Sequence, residues 1–299
     1  MIVEEIAPKS ILTRTGGFLA TVCSHSLQPY AGCGLGRSLC GVGCYAQHQI
    51  YRTRGRLWGG YLDVKTGADA VYRSQYARES AWARRQQGRF GVFVSSSTEP
   101  FPPQESTYGV TASVLRAMIE APPDRLIVQT HSPLVLEVLA MLQALNGLCE
   151  VRVHMSIESD RDRLPGLPGP FASVKRRMEA IGRLREAGIF SVVTVSPLLP
   201  ICDPHRFFRE LAAVADAVVL DHYVGGDGSK DGSRTRRTAL PMAMRAVDPA
   251  SDRVEYRDAM AEIAASYFPG RVGIGPDGFA GRYVDKIEPE PAANAKVTR

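Results

Sequence analysis

Residues 32–47, GCGLGRSLCGVGCYAQ, place Cys33, Cys40 and Cys44 in one glycine-rich loop, with an aromatic residue, Tyr45, directly behind the last of them. Thiolates are soft ligands, and three from one loop suit an iron-sulfur cluster of the [4Fe-4S] type, whose remaining iron then stays open to a small molecule. That arrangement serves catalysis rather than electron storage. Gly34, Gly36, Gly41 and Gly43 let the backbone curl around an inorganic core and aim its amides at the sulfides. A structural zinc site is the competing reading of the same cysteines. Zinc takes four ligands, usually from two short paired motifs, whereas the spacings here are C-x6-C and C-x3-C with no second pair. Cys23 lies ten residues upstream of Cys33 in the run FLATVC and reads first as a small packed residue, with a substitute ligand as its second reading.

The 299 residues are 44% hydrophobic, enough for a large core, and the net charge of +5 permits an anionic partner without demanding one. No apolar run approaches the length of a membrane span, and the acidic start MIVEEIAPKS does not read as a signal peptide. Six cysteines without paired spacing do not describe a disulfide framework, so the expected setting is a reducing one, the cytoplasm.

Short β-rich runs alternate with longer helical patterns, which is the signature of an α/β protein with a parallel sheet and crossover helices. Candidate strands are GFLATVC (17–23), RFGVFVSSST (89–98), RLIVQTHS (125–132), EVRVHMSI (150–157), FSVVTVSPLLP (190–200), DAVVLDHY (216–223) and RVGIG (271–275). The clearest helix covers residues 175–187, where Met178, Ile181 and Leu184 share one face and Gly188 supplies the stop. The tail beyond about Tyr283 reads as frayed. Polar residues recur where the strands end, at Ser97-Thr98-Glu99, Thr130-His131-Ser132, Ser156-Ile157-Glu158, Ser196-Pro197 and Asp221-His222-Tyr223. In a parallel barrel such ends converge on one mouth. The segment GGDGSKDGSRTRR (225–237) reads as a lid, in which Arg234, Arg236 and Arg237 are either a clamp for an anionic group or a solvated face.

The run HSLQPYAGC (25–33) leading into the cysteine loop and the run CYAQ (44–47) closing it resemble the N-terminal signature of the radical S-adenosylmethionine (SAM) enzymes, in the branch of spore photoproduct lyase and its relatives. That branch has Asn-Pro-Tyr-x-Gly-Cys before its loop and Cys-Tyr-Ala-Arg after it. Here Gln28 and Gln47 stand in place of the asparagine and the arginine, and the loop is longer than the usual C-x3-C-x2-C. The resemblance runs over about residues 22–225 and implies a partial, TIM-like (β/α)6 barrel, with residues 1–21 as an N-terminal extension and residues 226–299 as a C-terminal extension closing it.

The same resemblance implies Cys33, Cys40 and Cys44 as ligands of a [4Fe-4S] cluster, Tyr45 packed over it, and SAM at its open iron. Ser97, Thr98 and Glu99 map onto the run that handles the amino group of SAM. Thr130 matches the threonine of the next strand end, and His131 takes the place of a usual lysine as a catalytic basic residue. Ser156 and Glu158 are expected at the ribose or carboxylate, and Ser196 beside the adenine. The family's Glu-Pro-Arg run after the fourth strand is replaced by Leu164-Pro165-Gly166, although Arg177 still fits the helix that follows.

The implied chemistry is one-electron cleavage of SAM, driven by an external donor such as flavodoxin or ferredoxin, to a 5′-deoxyadenosyl radical that takes a hydrogen atom from a substrate. Cys202 reads either as an inert small residue covering the barrel or, if it faces the radical, as the hydrogen donor afterwards, with Tyr223 as an electron relay. The substrate is a small metabolite, a peptide or a nucleobase. Repair of a DNA photoproduct is the alternative within the family, less favoured because no dense basic face interleaved with aromatics is legible. A zinc-binding interaction module is the non-enzymatic alternative.

Overall fold

Runs of β-branched and aliphatic residues become strands here because a parallel sheet with helices outside and a packed interior buries both of its faces. In the computed structural model, which describes residues 1–284, these are β1 (Ile2–Ile6), β2 (Leu12–Arg14), β3 (His25–Leu27), β4 (Tyr30–Gly32), β5 (Tyr61–Lys65), β6 (Gly91–Val94), β7 (Arg125–Thr130), β8 (Glu150–Ser156), β9 (Phe190–Val195), β10 (Ala217–Leu220) and β11 (Val272–Ile274). The expected frayed tail lies, from residue 285 on, outside the described residues.

Six strands, β3, β6, β7, β8, β9 and β10, run parallel in that order, as the partial (β/α)6 barrel requires. β2 adds antiparallel to one edge and β11 parallel to the other, so both terminal extensions contribute strands to the barrel sheet. β1, β5 and β4 form a separate three-stranded sheet. Helices such as Ala68–Gln87, Val110–Glu120, Val174–Glu186 and Pro204–Val214 cover the outside. The Val174–Glu186 helix matches its sequence pattern: the Ser173 hydroxyl accepts from the Arg176 amide, and Gly188, at φ +82°, ends it in the left-handed region. Among the described residues no helix is long and apolar enough to cross a membrane.

The period of two along each strand divides its residues between two cores. Val92, Val94, Leu126, Val128, Val153 and Val193 face outward and pack on helix residues such as Leu115, Met118, Ile181 and Leu184. Each such fully buried side chain stabilises the fold by roughly 1.5–3 kcal/mol. Phe93, Ile127, Val192 and Val219 face inward, where Phe279 and Cys23 join them. One step further along the same inner faces come Ser95, Gln129, Ser156, Thr194 and Asp221. The interior thus changes from apolar to polar toward the C-terminal ends of the strands.

The expected first strand is corrected. Gly17–Thr21 is a 3-10 helix that sets Phe18 edge-on to Phe279, 5.6 Å between ring centres, and the strand is instead His25–Leu27. Its polar residues hid it, yet they are buried and partnered. The Ser24 hydroxyl donates to the Gly91 carbonyl at 2.9 Å, and His25 sits against Trp82 and Phe90 with its Nε2 3.1 Å from Glu79. Cys23 is buried in the barrel interior, its thiol donating to the His25 carbonyl, and burial pushes that thiol up to about 12.

Candidate functional site

The cysteine loop folds glycine against glycine. A Cβ on Gly41 would lie 2.3 Å from the backbone of Gly36, and one on Gly36 would lie 2.3 Å from the Cα of Gly59. Only hydrogen fits at these crossings. Trp58 packs with Cys33, Leu35 and Ala46 behind the loop. Gln47, which replaces the arginine of the resembled signature, donates from Nε2 to the carbonyls of Val42 and Cys44, both at 2.9 Å, and so ties off the loop's end. The additional loop residues have their own anchorage. The Leu39 amide donates to the Gly169 carbonyl at 3.0 Å, and its side chain is buried with Leu164, Leu199, Tyr223 and Leu240.

Cys33, Cys40 and Cys44 line one cavity of about 480 Å³ at the C-terminal end of the barrel, together with Tyr45, Ser97, Thr98, Glu99, His131, Ser156, Glu158, Ser196 and Tyr223. Twelve of the fourteen site residues expected from sequence therefore meet in one space. Burial, then the neighbouring Cys40 and Cys44, push the Cys33 thiol well above its ordinary value; burial and Cys40 push Cys44 up to about 12. The three sulfurs are thus near enough to feel one another's charge.

Two expected residues lie elsewhere. Thr130 is fully buried behind the wall, where its hydroxyl donates to Glu99 at 2.5 Å, so it positions that carboxylate. Cys202 is exposed and borders a small separate hollow with Asp160, Met178 and Phe207, its amide held by the Asp160 carboxylate at 2.9 Å. The loop after β9 turns outward there. This places Cys202 outside the cavity, correcting its expected position at the mouth.

A buried ionic network spans the wall. Glu99 accepts from the amides of Phe101 and His131 at 3.0 and 2.9 Å, and the His131 ring reaches Glu158 at 3.0 Å. Arg177, 3% exposed, donates to Glu158 at 2.6 Å and to the Ser156 carbonyl at 2.7 Å. Burial alone would lower the His131 pKa, but Cys40, Glu158 and Glu99 outweigh it and raise it well above the ordinary histidine value. Gln28 has a comparable positioning role: it donates to Ser96 at 2.9 Å and accepts from Thr98 at 2.7 Å, clasping the end of β6.

Several cavity residues were given no role from the sequence. Gln129 donates from Nε2 to Ser156 and Thr194 at 2.8 and 2.9 Å, and its buried Oε1 has no partner among the described residues. Its signal was one amide on the inward face of an apolar strand. Ser95 holds φ at +65°, a costly backbone for a residue with a Cβ, and its buried hydroxyl is also without a partner. Asp221 is 6% exposed, and burial pushes it up to about 7. The segment read as a lid is braced from within by Asp227, which is 1% exposed and accepts from the Ser229 and Thr235 amides at 2.9 and 2.7 Å. Arg234 lines the cavity and donates to the Asp227 carbonyl at 3.0 Å, and Arg236 lies over the Tyr223 ring.

Among the described residues, no three or more His, Cys, Asp and Glu side chains gather closely enough to hold a single metal ion. A zinc ion needs its thiolates about 2.3 Å away around one centre. A cubane binds each thiolate at a different iron corner, so it takes sulfurs spaced around a larger body. Three thiols on one cavity wall, on a loop of close glycine crossings, fit the cluster.

No family model matches the chain, and no curated protein gives a significant match. Solved structures do. A cysteine-to-alanine variant of spore photoproduct lyase with dinucleoside spore photoproduct matches at a TM-score of 0.62 and 15% identity, over 91% of this chain and 80% of that one. A tyrosine-to-phenylalanine variant of that lyase matches at 0.61 and a cysteine-to-serine variant at 0.59, both at 14% identity over 91% of this chain and 81% of theirs. The chain therefore has the α/β partial-barrel fold found in those proteins.

Proposed function

We propose that the protein is a radical SAM enzyme in which Cys33, Cys40 and Cys44 hold a [4Fe-4S] cluster at the mouth of the barrel. The observation that carries this reading is the meeting of all three loop cysteines with Ser97, Thr98, Glu99, His131, Ser156, Glu158 and Ser196 in one cavity. A [4Fe-4S] cluster held by these three thiolates would supply one-electron reductive cleavage of bound SAM and, through it, abstraction of a hydrogen atom from the substrate. The chain's own residues bind, orient and exclude. Thr98 and Glu99 present oxygen acceptors to the ammonium of SAM, with Thr130 and Gln28 fixing them. His131 and Arg177 meet Glu158 at 3.0 and 2.6 Å and fix the direction of its carboxylate. Ser156 and Ser196 offer hydroxyls to the adenosyl group. Tyr45 and Tyr223 close apolar surface around the reacting centre and keep water away.

The electron comes from an external one-electron carrier such as flavodoxin or ferredoxin, and a reducing, cytoplasmic setting preserves the site. Repair of a DNA photoproduct is the second reading, favoured by the fold shared with spore photoproduct lyase. Anaerobic reconstitution followed by incubation with dithionite and SAM tests the proposal. Formation of 5′-deoxyadenosine, lost in Cys33→Ala, Cys40→Ala and Cys44→Ala, is the expected result. A colourless protein that leaves SAM intact overturns it.

A further inference from the structure

The net charge of +5 is not spread evenly over the chain. Residues 6–62 hold six Lys and Arg residues and no Asp or Glu, so this one stretch, which contains the cysteine loop, carries the molecule's whole positive excess. Arg14 is held by Glu79, and Arg56 meets Asp63 at 2.5 Å and Glu4 at 3.9 Å. Among the described residues, Arg37, Arg52 and Arg54 have no acid within ion-pair distance. They gather on the outer side of the cysteine loop. The close crossing of Gly36 and Gly59 sets Arg37 beside the segment 50–60, and Arg52 is near enough to Cys44 and Tyr45 for its charge to act on both. Burial, then Arg52 and Arg54, push the Lys65 ammonium down to about 8, a further mark of crowded positive charge.

The same segment exposes apolar surface. Leu57 and Ile50 are the two most exposed large apolar side chains among the described residues, at 77% and 72%, and Tyr51 follows at 65%. Aliphatic groups held in water beside a tyrosine and arginines have the make-up of a protein interface. A nucleic acid would satisfy the arginines, but its sugar-phosphate backbone offers nothing to cover Ile50 and Leu57. Behind this surface stand the thiols. Trp58, the neighbour of Leu57, packs with Cys33 and Cys44, so the wall between them and solvent is about one side chain thick.

We propose that Arg37, Arg52 and Arg54, with Ile50, Tyr51 and Leu57, form the docking face of an acidic one-electron carrier protein. The inference rests on the radical SAM reading and deepens it by giving the reductant a place and a charge. One electron passes from the reduced carrier, which is oxidised, to the site held by Cys33, Cys40 and Cys44, which is reduced; no bond forms or breaks. Electron transfer slows steeply with distance, so the thin wall is where a carrier gains most from docking. A small, charge-steered contact also suits a partner that must leave after each delivery.

Calorimetric titration of the anaerobically reconstituted full chain with an acidic flavodoxin tests this. Binding is expected at about 20 mM salt and should weaken about tenfold or more by about 300 mM. Arg37→Glu, Arg54→Glu should weaken it about tenfold or more at low salt, and Leu57→Ser about threefold at either salt concentration. The control Arg116→Glu, Arg209→Glu, at exposed positions on outer helices, should change it less than about twofold. With dithionite as reductant, the Arg37→Glu, Arg54→Glu chain should form 5′-deoxyadenosine like the parent; a loss there would put these residues in the reaction site and overturn the assignment. Absence of flavodoxin binding, equal affinity in the charge-reversed chain, an equal loss in the control, or a double-stranded oligonucleotide held by these residues in the flavodoxin's place overturns it as well. A chain that forms 5′-deoxyadenosine with dithionite yet does not bind flavodoxin would sink the docking face alone. Flavodoxin held through these residues by a chain that leaves SAM intact would sink the radical chemistry and leave the face standing.

Discussion

Replacing Arg177 by methionine probes the network that orients the cavity wall. Arg177 and Glu158 are 3% and 7% exposed and meet at 2.6 Å, so the substitution leaves a carboxylate out of water with only His131 to balance it. Breaking a buried pair from one side costs about 3–5 kcal/mol. At about 2 °C per kcal/mol for a chain of this size, the melting temperature should fall by about 6–10 °C at pH 7. The double variant Arg177→Met, Glu158→Gln should recover more than half of that, because no carboxylate is then stranded without its arginine; the bond to the Ser156 carbonyl, worth about 1 kcal/mol, stays lost. The sign of the pH dependence follows from Glu158. Burial raises its pKa, but Arg177 and His131 more than reverse that and hold it below the ordinary carboxylate value. Its stabilising contribution is complete above the unfolded pKa of about 4.3 and is lost as pH falls through the folded value, so the gap between parent and Arg177→Met should close in acid. Circular-dichroism melts at a series of pH values measure all of this. A single variant melting within about 1 °C of the parent, or a double variant no better than the single, refutes the reasoning.

His154 is fully buried beside Phe93 and Phe279 with both ring nitrogens unpartnered among the described residues. His154→Leu should therefore stabilise the chain by about 1–3 kcal/mol in urea unfolding. Burial depresses the ring to about 3, so the unfolded chain binds the extra proton and the leucine variant's advantage should widen from pH 7 to pH 5; a constant gap counts against it. Gly41→Ala drives a methyl to within 2.3 Å of the Gly36 backbone and should abolish iron uptake on reconstitution, whereas normal uptake would show that the crossing is not needed. Cys202→Ser, at an exposed position outside the cavity, should leave 5′-deoxyadenosine yield and product distribution unchanged, and an altered distribution would return Cys202 to the mechanism.

Much of the barrel was legible because its strands are continuous apolar runs that turn polar at one end, and that change marks the mouth. The runs ending in Ser95, Thr130, Ser156, Ser196 and Asp221 were located within a few residues on this signal alone. β3 was not, because Ser24 and His25 look like surface residues until Gly91, Glu79 and the rings of Trp82 and Phe90 are brought beside them by pairing with β6. Local sequence carries no trace of partners more than fifty positions away. Cys202 lies well past the last residue of β9, where the turn decides which way it points, and the turn aims it away from the cavity. Thr130 is the last residue of β7 and shares the outward face of Leu126 and Val128, so the alternation along that strand already carried its direction. Asp221 was in view within a named strand end, yet its burial at the cavity wall emerges only once the strands are packed side by side.

The most direct measurement is a Mössbauer spectrum of the anaerobically reconstituted protein, with parallel metal analysis, recorded before and after addition of SAM. The expected result is about four irons per chain with one iron environment altered by SAM and the others unchanged. Zinc in place of iron, no bound metal, or a cluster spectrum indifferent to SAM would contradict an open iron at the mouth of this barrel.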